Sequence, residues 1–289
     1  MQETLMLFSP PATLAAAVVA GILGLLIGSF LNVVIHRVPI MMQREVDNVC
    51  ACERDEPEPH TEKYNLVVPR SACPHCGHQI TALENVPVIS WLVLGGKCSS
   101  CKAKISARYP MIEALSALLS AGLVWHFGSG WAGMAAVLFG WLLIAMTFID
   151  IDTQFLPDDL TYPLLWIGLI ANTQSLFASL QDAVIGAAAG YMVLWLVNAL
   201  YKLVRGHDGM GGGDFKLLAA LGAWMGWQLL PVIILLSSVV GSVIGIGTII
   251  AARLGFNHKI PFGPYLAGAG LVALLYGKQL IAFYYGMMG

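Results

Sequence analysis

The chain has 289 residues, of which 57% are hydrophobic and only 11% are charged, whereas ordinary soluble domains carry about 25% charged residues. This composition excludes a water-soluble globular enzyme and predicts an all-α polytopic membrane protein. The formal net charge of -2 is too small to suggest nucleic acid as a partner.

Hydrophobic runs of about 20 residues, the length that spans a bilayer as a helix, recur along the chain. They lie near residues 11–35, 111–126, 132–149, 160–179, 182–201, 215–230, 231–252 and 263–286. The first run could be a signal peptide, but it lacks a basic segment before it, so we expect a retained helix. The sequence therefore predicts about eight transmembrane helices, although 215–252 could be divided differently.

The distribution of basic residues predicts the orientation. Nine of the 15 Lys and Arg residues lie between the first and second runs, and Lys202, Arg205, Arg253 and Lys259 fall in loops on the same side under an eight-helix count. The opposite loops near 127–131, 180–183 and 227–232 have neither Lys nor Arg. Because basic loops stay in the cytoplasm, we expect the N-terminus outside and the large loop inside.

Three parts follow from this pattern: a first transmembrane helix at 1–37, a cytoplasmic insert at 38–110, and a seven-helix membrane domain at 111–289. Within the insert, residues 41–63 are acidic and rich in Pro, which predicts a flexible segment with little core. Residues 71–110 have the composition of a compact module.

The compact module carries two C-x2-C pairs, Cys73 with Cys76 and Cys98 with Cys101. Two such pairs can supply four thiolates to a tetrahedral zinc ion. The alternative is a set of reduced thiols or disulfides, and a cytoplasmic compartment argues against disulfides. Four thiolates leave no open coordination position, so we expect a structural zinc site, with Cys50 and Cys52 as spare thiols.

Acids at membrane depth are costly to place and are therefore candidates for function. Asp150 and Asp152 close the third run, and Asp214 opens the sixth after a glycine-rich loop. Both positions lie at the cytoplasmic face in the predicted topology, so two acids could meet there and share one proton, as in an aspartyl protease. A helix-capping role for Asp214 is about equally compatible with this motif, and spacing leaves open whether Asp150 or Asp152 is its partner.

These motifs resemble those of one family, the type IV prepilin peptidases of the GxGD class of intramembrane aspartyl proteases. The resemblance rests on the segments 28–37, 73–76 with 98–101, 105–113, 150–158, 211–216 and 261–264. It covers nearly the whole chain.

The resemblance implies that Asp150 and Asp214 are the catalytic pair and that Asp152 is a neighbour. It also implies a bacterial inner-membrane enzyme whose active site faces the cytoplasm. Such enzymes cleave the leader of type IV prepilins and of type II secretion pseudopilins between Gly and Phe, and many then N-methylate the new terminal Phe with S-adenosylmethionine. Both reactions are expected of this chain; the alternative is a protease without methyltransferase activity.

The methyl-transfer site is harder to predict, because the sequence has no dinucleotide-type glycine motif after a strand. Gly95, Gly96 and Lys97 are candidates for binding S-adenosylmethionine, although a tight turn before Cys98 is the simpler explanation of these residues. A transporter that uses Asp150 and Asp214 as a proton relay is a further alternative, but both acids lie at the ends of runs.

Overall fold

The computed structural model describes residues 13–252 and 261–288, and apart from two isolated β-bridges the regular structure in those ranges is helical. Arg253 and Lys259, which the predicted orientation uses, lie outside them. The helices are α1 (Leu14–Glu53), α2 (Ile89–Val93), α3 (Arg108–Phe127), α4 (Trp131–Thr153), α5 (Asp158–Thr173), α6 (Leu180–Arg205), α7 (Gly212–Met225), α8 (Leu230–Ala252) and α9 (Gly263–Met288), with a 3-10 turn at Trp227–Leu229.

Each of the eight predicted hydrophobic runs contains a helix, but the count of eight membrane spans is not confirmed. Among the described residues, five helices are long and apolar enough to cross a membrane: α1, α3, α4, α6 and the segment Trp227–Thr248. Helices α5 and α7 have 16 and 14 residues. At 1.5 Å per residue they measure about 24 Å and 21 Å, whereas the hydrocarbon core is about 30 Å thick.

Helix α1 continues well past its hydrophobic run, to Glu53. The predicted flexible segment is therefore helical over its first part. Side-chain contacts stabilise this extension: Gln43 donates to Asp47 one turn later, and Asn48 exchanges two hydrogen bonds with the backbone of His60. The acidic, Pro-containing residues after Glu53 double back along the helix, and this return segment is irregular.

The chain forms two compact units, and the described part of the first is residues 13–125. In this unit α1 packs against α3 through small residues. A Cβ on Gly24 would come within 2.6 Å of the Ser120 hydroxyl, and a Cβ on Gly28 within 2.7 Å of the Cα of Glu113. Small residues at such positions let helix backbones approach closely, as is typical of helix pairs in membranes.

The second unit contains the described residues from 126 onward, and its centre is the short helix α7. Every residue of α7 from Asp214 to Met225 except Lys216 is buried. Helices α5 and α6 supply most of its neighbours, and the backbones of Gly186 and Gly222 touch. A helix that is apolar on all sides is expected at the centre of a bundle.

Candidate functional site

Asp150 lies one turn before the end of α4 and is 4% exposed. Its Oδ2 accepts a 2.9 Å hydrogen bond from the backbone N–H of Gly263, at the start of α9. A Cβ on residue 263 would come within 2.7 Å of the same oxygen, so a glycine is what allows this close approach. Asp152 is exposed, since residues two apart on a helix point in nearly opposite directions.

Asp214 lies in the first turn of α7 and is 9% exposed. Its backbone N–H donates to the carbonyl of Gly211, the N-cap residue of the helix. A carboxylate in a first turn interacts favourably with the helix dipole. The helix dipole would favour the carboxylate even if the carboxylate stayed in water, whereas a buried carboxylate loses its hydration. A capping role alone therefore leaves the burial of Asp214 unexplained.

The surroundings of the two acids share one side chain, that of Leu156. A Cβ on Gly213 would come within 2.8 Å of the Leu156 Cβ, and a Cβ on Gly263 within 3.3 Å of its Cδ1. Leu156 therefore contacts both the backbone next to Asp214 and the backbone that binds Asp150. The structure brings together the end of α4 and the start of α7, where Asp150 is buried and Asp152 is exposed.

The glycine-rich loop before α7 is tied to the end of α6. The Oδ1 of Asn198 accepts hydrogen bonds from the backbone N–H groups of Gly209 and Met210, at 2.9 and 3.1 Å. Asp208 accepts hydrogen bonds from Lys202 and Asn198, both 3.0 Å long, and these bonds lower the pKa of Asp208. Sequence reasoning does not single out Asn198, because nothing in its local sequence distinguishes it.

The start of α7 is also fixed to the start of α5. Lys216 donates to both carboxylate oxygens of Asp158, at 2.6 and 2.7 Å, and its ammonium group lies 5.3 Å from the centre of the Tyr162 ring. A bidentate ion pair with an adjacent aromatic face holds a lysine in one position. Asp214, two residues earlier, is thereby held in a fixed place.

The two C-x2-C pairs fold as matching turns. In the first turn the N–H of Cys73 donates to the carbonyl of His78, and the N–H of Gly77 donates to that of Cys73. The same pair of bonds recurs in the second turn, where Cys98 and Lys102 are the donors. Gly77 and Lys102 occupy the same left-handed position, with φ of 70° and 61°. The module thus uses one local geometry twice.

The four sulfur atoms lie within 4.8 Å of one another. Cys73 and Cys101 are 3.7 Å apart at sulfur, and Cys76 and Cys98 are 4.0 Å apart. A tetrahedral zinc ion with Zn–S bonds of 2.3 Å places its ligand sulfurs about 3.8 Å apart. Backbone N–H groups of His75 and Cys76 lower the pKa of Cys73 to about 7, which favours the thiolate that binds metal. The cluster therefore fits a metal ion.

Nearby groups stay outside this cluster. Cys50 and Cys52 are near the end of α1 and do not belong to the four-cysteine group. The Nε2 of His78 lies 3.2 Å from Oε1 of Glu84 and 3.2 Å from the hydroxyl of Ser99. This network connects the two cysteine turns, so His78 supports the module through hydrogen bonds.

Comparison with known proteins identifies the family of this chain. The bacterial peptidase A24 N-terminal domain matches residues 22–127, and the type IV leader peptidase family matches residues 137–246. The prepilin leader peptidase/N-methyltransferase of Stutzerimonas stutzeri is 57% identical over 272 residues, which cover 94% of each chain. The chain belongs to the type IV leader peptidase family. Membership in this family confirms the resemblance and removes the transporter alternative.

Further relatives in this leader peptidase family carry the same name. The protein of Pseudomonas aeruginosa strain PAO1 is 56% identical over 272 residues, 93% of each chain. The protein of Aeromonas hydrophila is 55% identical over 262 residues, 90% of each chain. No solved structure matches the chain.

In this leader peptidase family member, Gly95 and Gly96 form the turn that follows α2. Both have left-handed backbones, with φ of 62° and 66°. A Cβ on Gly96 would come within 2.9 Å of the Trp91 ring, and Lys97 forms an isolated bridge with Lys104. Backbone geometry and packing therefore account for both glycines without a ligand.

Glu113 is a buried acid to which the sequence analysis gives no role. It lies in the first turns of α3 and is 8% exposed. Its Oε2 accepts a 2.7 Å hydrogen bond from the backbone N–H of Val88. Glu113 is one of few acids after residue 110, and a carboxylate within an apolar helix is costly. This position in the sequence could have marked it as a candidate.

Proposed function

We propose that this chain is a prepilin leader peptidase/N-methyltransferase. The observation that carries the proposal is that two buried acids, Asp150 and Asp214, lie at helix ends that both contact Leu156, in a chain that is 57% identical to a relative of that name over 94% of its length. The substrates would be type IV prepilins and type II secretion pseudopilins, cleaved between Gly and Phe. The new terminal Phe would then be N-methylated with S-adenosylmethionine.

The chemistry of cleavage follows from two carboxyl groups that share one proton. Two negative charges at close range in a buried site repel each other, so one acid stays protonated while the other is ionised. The ionised carboxylate removes a proton from a water molecule, which attacks the scissile carbonyl. The protonated carboxyl donates to the carbonyl oxygen, and the proton taken from water then serves the leaving amine.

Gly263 supports an assignment of roles within the pair. Its N–H donates to Oδ2 of Asp150, and a hydrogen bond to a carboxylate stabilises the ionised form. If Asp150 is ionised in this way, its neighbour Asp214 would hold the shared proton, because two adjacent negative charges repel each other. We therefore infer that Asp150 is the base in the resting enzyme and that Asp214 carries the shared proton.

The glycine-rich loop supports the approach of a peptide substrate. Gly211 and Gly212 are exposed, and a Cβ on either residue would meet no other described atom within 4 Å. Packing inside the protein therefore does not require these two glycines. A substrate backbone that must pass close to Asp214 would require them, because any larger side chain would stand in its way.

We infer that the four-cysteine cluster holds a structural zinc ion. Cys73, Cys76, Cys98 and Cys101 would be its ligands, and their four thiolates would leave no position for a reacting water. When bound, the ion cross-links the two cysteine turns and so stabilises a module with little apolar core. The cytoplasmic orientation of this module and of the acid pair, in the bacterial inner membrane, is part of the proposal and rests on the basic loops.

The proposal is tested by replacing each acid with its amide. Asp150→Asn and Asp214→Asn should each lower the cleavage rate of a prepilin at least about a thousandfold, because an amide cannot exchange the shared proton. Asp152→Asn is the matched control, an exposed neighbour that should retain appreciable cleavage. The assay is the mobility shift of a full-length prepilin incubated with the detergent-purified enzyme.

Full processing by either of the first two variants would exclude the aspartyl mechanism. The same reaction mixtures, supplied with S-adenosylmethionine, decide whether methylation occurs. A wild-type enzyme that cleaves but leaves the new N-terminus unmethylated would be a protease alone.

A further inference from the structure

The first compact unit contains a cavity of about 670 Å³. It is bordered by the cytoplasmic end of the hydrophobic part of α1, by the cysteine module, and by the first turns of α3. Its size falls within the range of about 300–1,000 Å³ that small-molecule sites in proteins occupy. The candidates Gly95, Gly96 and Lys97 are not among the residues that line it.

A buried carboxylate, that of Glu113, forms part of the cavity wall. It accepts a 2.7 Å hydrogen bond from the N–H of Val88, and the side chain of Ser29 lines the cavity as well. A carboxylate can accept about four hydrogen bonds, so acceptor positions remain for another group. A negative charge in such a place is costly unless a cation or further donors compensate it.

The backbone that holds Glu113 is strained. Val88 has φ of 58° and ψ of -49°, and the N–H of Ile89 bonds to the carbonyl of Pro87. This is the rare form of the γ-turn, which is unfavourable for any residue with a branched side chain. The turn directs the Val88 amide toward the carboxylate. Strain of this kind persists mainly where a site requires a particular geometry.

Aromatic and polar groups complete the cavity wall. Trp91 and Tyr109 line it, and the indole N–H of Trp91 donates to the carbonyl of Ile105, which fixes the ring in place. Asn32 donates to the carbonyl of Tyr109 at 3.2 Å. Aromatic faces bind flat bases, and buried polar groups orient a ligand within an otherwise apolar site.

We propose that this cavity binds S-adenosylmethionine and that Glu113 compensates the positive charge of the bound sulfonium. The inference rests on the proposed function, since it locates the methyl donor that an N-methyltransferase requires. S-adenosylmethionine carries a flat base, to which the rings of Trp91 and Tyr109 could offer a face, and a net charge of +1, which the Glu113 carboxylate would compensate. The binding role assigned to Glu113 explains both the burial of the acid and the strained turn at Val88.

The reaction at this site balances without a further reagent. The terminal amine of the cleaved substrate enters unprotonated, having given its proton to water, and its lone pair attacks the methyl carbon. The N–CH3 bond forms as the S–CH3 bond breaks, and the electron pair of the broken bond stays on sulfur. The products are a secondary ammonium group and S-adenosylhomocysteine, a neutral thioether.

The loss of charge at sulfur provides the test. In full-length, zinc-loaded enzyme, Glu113→Gln should weaken the binding of S-adenosylmethionine at least about tenfold, and that of S-adenosylhomocysteine less than about threefold, because only the former carries the sulfonium charge. Binding is measured by isothermal titration calorimetry. Glu56→Gln is the matched control, an exposed acid of the same unit outside the cavity, and should bind both ligands normally.

A second pair of variants keeps the test decisive if Glu113→Gln fails to fold. Ser90 lines the cavity, so Ser90→Trp should fill part of it and abolish donor binding. Val93→Trp places the same side chain at an exposed position of the same helix, outside the cavity, and should bind normally. In the wild type, ultraviolet cross-linking with methyl-labelled S-adenosylmethionine should mark peptides from residues 29–37 or 88–91. Label confined to residues 126–288 would overturn the proposal.

The outcomes separate this inference from the proposed function. Wild-type methylation together with normal donor binding by Glu113→Gln and Ser90→Trp overturns the cavity site alone. A wild-type enzyme that neither binds the donor nor methylates its product overturns both the cavity site and the methyltransferase activity.

Discussion

The environment of Asp150 depends on a single backbone atom, the nitrogen of Gly263. Only a residue without a Cβ can bring its N–H to 2.9 Å from the carboxylate, because a Cβ would lie 2.7 Å from the same oxygen. Gly263→Ala should therefore displace the carboxylate or the start of α9. We expect the cleavage rate to fall at least about tenfold, since small displacements of catalytic groups are costly.

The matched control for this change is Gly268→Ala. Gly268 lies in the same helix, is exposed, and has no described atom within 4 Å of the position that a Cβ would take. The Gly268→Ala variant should cleave prepilin at the wild-type rate. Equal cleavage rates in the two variants would show that the contact between Gly263 and Asp150 has no catalytic importance.

The metal content of the cysteine cluster is a second prediction at the scale of residues. Elemental analysis of the purified protein should give about one zinc ion per chain, as expected of a closed four-thiolate site. Cys73→Ser with Cys76→Ser should remove the metal. Cys50→Ser with Cys52→Ser should retain it, because these two thiols lie outside the cluster, and loss of metal from that variant contradicts the ligand assignment.

At the scale of elements, the C-terminal end of α7 depends on Asn172 at the end of α5. Its amide nitrogen donates to the carbonyls of Ala223 and Trp224, at 2.8 and 2.9 Å. Its oxygen accepts from the backbone N–H groups of Phe177 and Ala178, both at 3.0 Å. One fully buried side chain therefore satisfies four backbone groups at once.

Asn172→Ala should lower the stability of the second unit by about 1–3 kcal/mol, because buried backbone groups lose their partners. The measurement is the apparent melting temperature of the enzyme in detergent. Thr173→Ala is the control, since Thr173 is exposed and its hydroxyl bonds only within its own helix. A variant of Asn172 that melts with the wild type would mean that water replaces the lost hydrogen bonds.

Hydrophobic runs predict where helices lie in this chain but not which of them span a membrane. Helix α7 has the composition of a spanning helix, yet it is short and surrounded by protein. Burial inside a bundle and contact with lipid favour the same residues, so composition cannot distinguish them. The extension of α1 to Glu53 escapes prediction because hydrogen bonds to the returning loop stabilise it, and those bonds require the fold.

At the scale of the whole molecule, the sequence predicts sites with short spacing better than sites assembled over distance. The cysteine turns are encoded within a few residues, and the structure forms both of them. The contact between Gly263 and Asp150 joins residues 113 positions apart. The cavity wall draws on α1, the module and α3, and no local pattern marks such a surface.

The two reactions should be separable, because they have no chemical step in common. Hydrolysis needs a carboxyl pair and water, whereas methyl transfer needs a bound sulfonium beside a free amine. The acid pair lies in the unit formed by residues from 126 onward, and the four cysteines and the cavity lie in the other unit. Cys73→Ser with Cys76→Ser should therefore reduce methylation at least about tenfold while cleavage falls much less, since the lost metal stabilises only the module.

Both quantities can be measured on one reaction. Leader removal is followed by mobility shift, and the mass of the mature N-terminal peptide reports the methyl group, which adds about 14 Da. Cys50→Ser with Cys52→Ser is the control and should perform both reactions normally. If the Cys73 and Cys76 variant methylates a precleaved substrate but fails to cleave a full-length prepilin, the module docks the prepilin for cleavage, and the methyl donor binds elsewhere.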